Sequence, residues 1–291
     1  MGRLAMQPPA RRFQSSILIY LGLGLCAVLA VWLASHVPNA DWYGTFDPAG
    51  RMVLQGHSPY DQPLFLNPPW AALILLPFVV LPPALGRGLV LVLTLVSIGY
   101  TAWRLHAPKL ALIALLLSPT AIGALLAANL DAFAVPGIFL PAAWGLLLLM
   151  IKPQVGAGVA VFYLVDSWRQ KGLPGVFRTF APLALLAVLG ALLFPIWIQR
   201  MIGKPANVWN RSIFPFGIPV GLAFLWLAIR TNSKYLALAA APFLSPYLTF
   251  YTYLVVQIGL LDPGVEKYIR RDVLQIILCV FLWAIMLIFR L

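Results

Sequence analysis

Ser16-Ile-Leu-Ile-Tyr-Leu-Gly-Leu-Gly-Leu-Cys26-Ala-Val-Leu-Ala-Val-Trp32-Leu-Ala-Ser-His36 is an unbroken apolar run. Asp41-Trp-Tyr-Gly-Thr-Phe-Asp47-Pro-Ala-Gly-Arg51-Met-Val-Leu-Gln-Gly-His57-Ser-Pro-Tyr60-Asp61 follows it almost at once. The first stretch has the roughly 20 residues that a helix needs to cross a bilayer. The second carries three of the chain's eight acidic residues. A helix that enters lipid and delivers a polar, aromatic segment to the far side is the reading that decides the fold.

The rest of the chain repeats the first pattern. It is 62% hydrophobic and 10% charged over 291 residues, against about 25% charged in soluble domains, so a water-soluble globule is excluded. Solid Leu, Ala and Val runs also exclude an outer-membrane barrel, whose strands alternate polar and apolar residues. Apolar stretches at 69–82, 87–104, 109–127, 129–140, 142–151, 154–168, 179–199, 212–230, 234–260 and 272–290 predict an all-α polytopic membrane protein. Roughly nine to eleven transmembrane or re-entrant helices are expected. Residues 1–15 read as a basic cytoplasmic tail, 16–291 as a single integral membrane domain, and 37–67 as its first external loop, with short helices lying on the surface. Pro48 to Leu54 is expected to be one of these, started by proline and closed by Gly56.

The formal net charge of +12 does not point to nucleic acid, because the cations are scattered at span ends and form no single stripe. Arg3, Arg11, Arg12, Arg104, Lys109, Arg169, Lys171 and Arg178 suit anionic membrane lipids and a fixed topology. The expected location is the plasma membrane, with the N-terminus cytoplasmic. The first run is too long for the apolar region of a cleavable signal. Cys26 and Cys279 sit inside apolar runs and predict neither a disulfide nor a metal site. Strict alternation of spans would put Arg104 and Lys109 outside, against the positive-inside tendency. Either 69–82 re-enters without crossing, or the charge rule fails at that loop. Many runs contain proline (Pro77, Pro119, Pro136, Pro141, Pro195, Pro215, Pro219, Pro242 and Pro246), and helices broken at membrane depth imply an internal cavity.

Four groups could carry chemistry. In the loop, Asp41 has Arg51, His57, Tyr60 and Asn67 as company, while Asp47 reads equally as a second carboxylate of the site or as a helix cap. Asn129 and Asp131 stand at the entrance to a short apolar stretch, where a carboxylate usually faces a cavity or a partner. Lys152, followed by Gln154, is a lone cation between two apolar runs, either snorkelling to the interface or binding a phosphate. Tyr247 and Tyr251 are spaced to share a helical face, as belt anchors or as a platform for a sugar. With only three histidines, a His-based metal site is not expected; Asp41, Asp47 and His57 are the one trio that could take a divalent ion.

Several of these phrases, taken in order, resemble one family. They are the Asp after the first span; Pro48-Ala-Gly-Arg51 with Gly56-His-Ser-Pro-Tyr60; Phe65-Leu-Asn-Pro-Pro69-Trp70; and Leu76-Pro-Phe-Val-Val-Leu-Pro82. Ser118-Pro119, Asn129-Leu-Asp131, Ile151-Lys-Pro-Gln154 and Ser245-Pro-Tyr247 follow. They look like the GT-C superfamily of polyprenyl-phosphate-sugar-dependent glycosyltransferases, nearest the family-87 mannosyltransferase-like proteins, over about residues 37–255. The resemblance implies inverting transfer of a mannose-like sugar at the non-cytoplasmic face. The donor would be a polyprenyl-phosphate sugar and the acceptor a glycolipid or glycan. It places the catalytic base at Asp41, with Asp47 second, and implies Lys152 and Arg51 on the leaving phosphate. Asn129, Asp131 and Tyr247 would line the pocket. Ala127-Ala128 stands where relatives often carry Gly-Gln, so the alternative is a catalytically degenerate scaffold subunit associated with partner membrane subunits.

Overall fold

The computed structural model describes residues 41–202 and 209–289, together with Trp32, Ser35 and His36. The basic tail, Cys26 and nearly all of the first span lie outside the described residues. Among those described, all regular structure is helical. The helices are α1 (Asp47–Leu54), α2 (Pro69–Val79), α3 (Pro83–Arg104), α4 (Lys109–Leu116), α5 (Pro119–Ala127), α6 (Asp131–Ala134) and α7 (Ala142–Leu149). They continue with α8 (Pro153–Leu193), α9 (Trp197–Ile202), α10 (Ile218–Thr231), α11 (Lys234–Leu244), α12 (Leu254–Gly259) and α13 (Arg271–Phe289). The helix expected from Pro48 to Leu54 forms as α1, and Gly56 beyond its end has φ +79°.

Proline acts here mostly as a starter. Pro69, Pro83, Pro119 and Pro153 each open a helix, where the missing N–H costs nothing. Pro219 does the same for α10, and only Pro77 and Pro242 of the prolines noted above lie inside helices. The apolar runs are thereby cut shorter than hydropathy alone suggests. α2, α7 and α10 have 11, 8 and 14 residues, below the length needed to cross lipid singly. Among the described residues, three helices are long and apolar enough to cross (α3, α8 and α13), with α4 and α5, bent by 58° at their break, as a fourth if they act together.

α8 turns back on itself. Gly172 has φ 60° and ψ −152°, a conformation open essentially to glycine. Beyond it, Thr179 meets Ser167 at 2.9 Å, although twelve residues of straight helix would hold them about 18 Å apart. The returning arm ends beside the loop helices, where Phe194 packs edge-on to Tyr60 and Trp197 to Trp70. Its outward face is bare apolar surface, with Leu192 and Leu193 about 70% exposed and Leu185 61%. The outer face of α13 is similar, with Val280 64% and Leu287 73% exposed. Surfaces of that size and composition suit contact with lipid.

Arg51 Nη2 donates to the Leu81 carbonyl at 3.0 Å, and Trp42 Nε1 to the Pro83 carbonyl at 2.9 Å. The chain leaving α2 is therefore tied to the segment that precedes it. α3 then carries the chain over 22 residues, about 33 Å, to Arg104 at its far end.

The core is knit by small residues. α11 buries Ala237, Ala239, Ala240 and Ala241, and α8 approaches it so closely that a Cβ on Gly158 would lie 2.1 Å from the Ala237 carbonyl oxygen. Helices packing in lipid rely on such approach, because lipid tails compete with any larger apolar contact. Gly158→Val is expected to destabilise the protein by about 1–3 kcal/mol through overpacking. Gly99→Val, at a position with nothing within 4 Å, should leave unfolding in detergent unchanged. Equal unfolding curves for the two variants would contradict the close α8–α11 packing.

Candidate active site

Asp41 enters the site through an unusual turn. Trp42–Phe46 is a π-helix, closed by the Asp47 N–H on the Trp42 carbonyl. The wide turn stacks residue i over i+4 and i+5, so Asp41, Thr45 and Phe46 share one face, and all three line a cavity of about 420 Å³. Buried Trp42 anchors the turn on the opposite side.

Asn129 is the hub. Ala128 closes α5 in the left-handed conformation (φ 47°, ψ 47°), and the reversal sends the Asn129 side chain inward. Its Nδ2 donates to Asp41 Oδ2 at 2.6 Å and to the Tyr251 hydroxyl at 2.8 Å. Its Oδ1 accepts the Leu130 N–H at 2.6 Å and the Lys152 ammonium. Lysine can only donate and an ionised carboxylate can only accept, so the two neighbours fix which way the amide points. The Tyr251 hydroxyl also donates to Asp41 Oδ2. Both bonds fall on Oδ2; among the described residues, Oδ1 is the oxygen left to the cavity.

Lys152 caps the start of α8, a place that disfavours a cation unless a carboxylate offsets it. Asp131 supplies the carboxylate. Its Oδ1 lies 2.5 Å from Lys152 Nζ, and its Oδ2 accepts from Thr252 at 2.7 Å. The lysine also stands 5.5 Å from the Tyr251 ring centre. Both charged residues are buried, Asp131 completely. Asp131 therefore supports the lining from behind and does not form part of it.

The cavity also gathers Asn67, Gln154, Tyr247 and Tyr251. Asn67 is held by its Nδ2 on the Ile151 carbonyl at 3.0 Å, next to Lys152. Tyr247 and Tyr251 converge as expected but share no helical face. Tyr247 lies in irregular chain after α11, and Tyr251 in a 3₁₀ turn, Phe250–Tyr253. Leu126 of α5 and Met286 of α13 extend the lining to apolar helices.

Four loop residues do not join it. Asp47 faces away from the cavity, and both its oxygens accept from Arg51 Nε at 3.0 Å. Its side chain does not cap α1, whose N-cap position is held by Phe46. Arg51, whose charged form this carboxylate favours so that its pKa is pushed up, is spent on Asp47 and Leu81. Tyr60 is buried and donates to the Asn67 carbonyl at 2.7 Å; burial pushes its hydroxyl pKa up. It positions Asn67 from behind. His57 borders a separate, more open hollow with Asp61 and Phe194. The trio Asp41, Asp47 and His57 is thus not assembled, and no group of three His, Cys, Asp or Glu comes together among the described residues.

Arg211 was not anticipated. It lines the cavity beside Trp209, held by its own N–H on the Leu248 carbonyl at 2.8 Å and by Tyr253 on its carbonyl at 3.1 Å. In the sequence it is one more cation at the edge of an apolar run; its only distinguishing signal is the polar Trp209-Asn-Arg211-Ser212 phrase.

Asp131→Asn removes the carboxylate from a buried ammonium, and a loss of about 3–5 kcal/mol is expected. Asp131→Asn combined with Lys152→Met removes the unpaired charge and should recover more than half of that. Unfolding in mixed micelles measures both, and identical losses would show that the two charges are not coupled. No family model, curated protein or solved structure matches the chain.

Proposed function

We propose that the protein is a polytopic membrane glycosyltransferase of GT-C type, resembling the family-87 mannosyltransferase-like proteins. It would move a mannose-like sugar from a polyprenyl-phosphate donor to a lipid or glycan acceptor. The observation that carries this reading is the Asp41 carboxylate, oriented by Asn129 and Tyr251 within a cavity that also holds Arg211, Lys152 and apolar helix faces.

In this reading Asp41 Oδ1 takes the proton of the acceptor hydroxyl as that oxygen attacks C1 of the sugar. The C1–O bond to phosphate breaks on the opposite side, C1 inverts, and the polyprenyl phosphate leaves with the bonding pair. Arg211, with Lys152 behind it, offsets the charge that grows on the phosphate. Arg51 is relieved of that role by its pairing with Asp47. The wall at Leu126 and Met286 offers the lipid chain a way toward α13, whose outer face is apolar.

Charge supports the orientation. Arg104, Lys109, Arg230 and Lys234 at helix ends, Lys171 at the α8 reversal and Lys267 in the turn before α13 lie away from Asp41, and the positive-inside tendency makes that the cytoplasmic face. On a cysteine-free background, Asp61→Cys should react with an impermeant maleimide added outside intact cells, and Lys109→Cys should not. The reverse pattern would invert the topology and remove the proposed external site.

Asp41→Asn in lipid nanodiscs should lower transfer from polyprenyl-phosphate mannose by about 10²–10⁴-fold, the usual worth of a positioned base. Asp47→Asn should retain most activity. Undiminished transfer by Asp41→Asn takes Asp41 out of the mechanism.

A further inference from the structure

The helix ends remote from Asp41 carry a second arrangement of polar groups. Arg104, at the end of α3, places its guanidinium 4.6 Å from the Phe139 ring centre and 5.6 Å from that of Tyr100, and Nη1 donates to the Tyr100 hydroxyl at 2.6 Å. Phe139 packs against Tyr100 on one side and Tyr235 on the other, with ring centres 5.6 and 6.1 Å away. Lys234, which opens α11, holds its ammonium 5.8 Å from the Tyr235 ring centre and donates to the Ile138 carbonyl at 2.5 Å. Three aromatic rings from α3, the Val135–Phe139 turn and α11 thus form one platform with a cation at each end.

The charges on this platform are not balanced. Elsewhere on the same face, Arg271 pairs with Glu266 at 2.7 Å and Arg270 with Asp272 at 2.8 Å. Among the described residues, neither Arg104 nor Lys234 has a carboxylate within ion-pair distance. Asp262, whose field reaches Tyr235, is occupied by the Ser233 hydroxyl and by the Gly264 N–H at 2.8 Å. Two cations joined by one aromatic platform and without carboxylate partners among the described residues are stabilised by an anion. Trp103, beside Arg104 in the chain, and Trp144 are 68% and 63% exposed, and Leu140 beside Phe139 is 44% exposed. Exposed tryptophans at the ends of apolar helices suit the level of lipid headgroups.

We propose that Arg104 and Lys234, presented on the Tyr100–Phe139–Tyr235 platform, bind the phosphate of an anionic phospholipid at the membrane face opposite Asp41. The site is independent of the sugar-transfer reading and shares with it only the embedding in a membrane. A lipid held there ties the end of α3 to the start of α11, which runs back to the irregular segment carrying Tyr247.

The test is retention of lipid by the detergent-purified full chain, read by native mass spectrometry after titration with phosphatidylglycerol, phosphatidylcholine or inorganic phosphate. The wild type is expected to keep phosphatidylglycerol selectively. Arg104→Gln/Lys234→Gln should bind it about thirtyfold more weakly, as the loss of two interfacial cations implies. Arg230→Gln removes a charge of the same face that lies over Trp226, outside the platform, and should bind as the wild type does. Lys234→Gln alone gives the same comparison at lower amplitude if the double variant does not fold. Equal retention by all variants, or an equal loss in Arg230→Gln, overturns the site. Binding of inorganic phosphate as tight as that of the lipid overturns the headgroup assignment.

Discussion

A buried lysine that must be neutralised organises this protein. Lys152 lies at the start of α8 with little access to solvent, and an ammonium there is tolerable only with a carboxylate and further acceptors around it. Asp131 and Asn129 meet that need, and doing so fixes everything around them. Asp131 draws in Thr252, and Asn129 draws in Asp41 and Tyr251. Residues distant in sequence, from the first loop, the α5–α6 reversal, the α8 start and the late 3₁₀ turn, are thereby held at one point. The cavity forms beside that point because the helices around it begin and end there and do not run through.

That pattern explains how so many prolines serve a membrane protein. A proline inside a helix removes a hydrogen bond and costs about 3 kcal/mol, but one that opens a helix costs almost nothing. Pro69, Pro83, Pro119 and Pro153 all open helices. Short helices that start and stop inside the fold expose N–H and C=O groups, and side chains such as those of Arg51, Asn67 and Trp42 satisfy carbonyls among them. Much of the polar character of the loop is therefore structural.

The sequence made part of this legible. Asn129, Lys152 and Gln154 stood out because a polar side chain amid leucine and alanine needs a reason, and all three line the cavity. Asp41 stood out by its position after the first span. The other loop residues misled because neighbours in sequence need not face the same way. Continuous helix from Asp41 into α1 puts Asp41 on the cavity side and leaves Asp47, six residues on and on another face, to Arg51. Arg51, His57 and Tyr60 looked like donors for a ligand and serve the loop or a different hollow. Arg211 went unnoticed because a cation beside an apolar run is ordinary, and only the pairing of 209–212 with 245–253 reveals what it faces. The hairpin in α8 was also hidden: Gly172 follows Arg169 and Lys171 in what reads simply as a basic span end, and its positive φ appears only in coordinates.

We propose that the cavity faced by Asp41, Asn129 and Tyr251 holds a sugar on a lipid phosphate. The most direct measurement is an experimental structure of the full chain in nanodiscs with a non-hydrolysable polyprenyl-phosphate sugar. The account predicts the phosphate within hydrogen-bond distance of Arg211 and the sugar beside Asp41 Oδ1, with the lipid chain leaving past Leu126 and Met286. A lipid bound elsewhere, or Asp41 turned to bulk solvent away from Asn129, would contradict it.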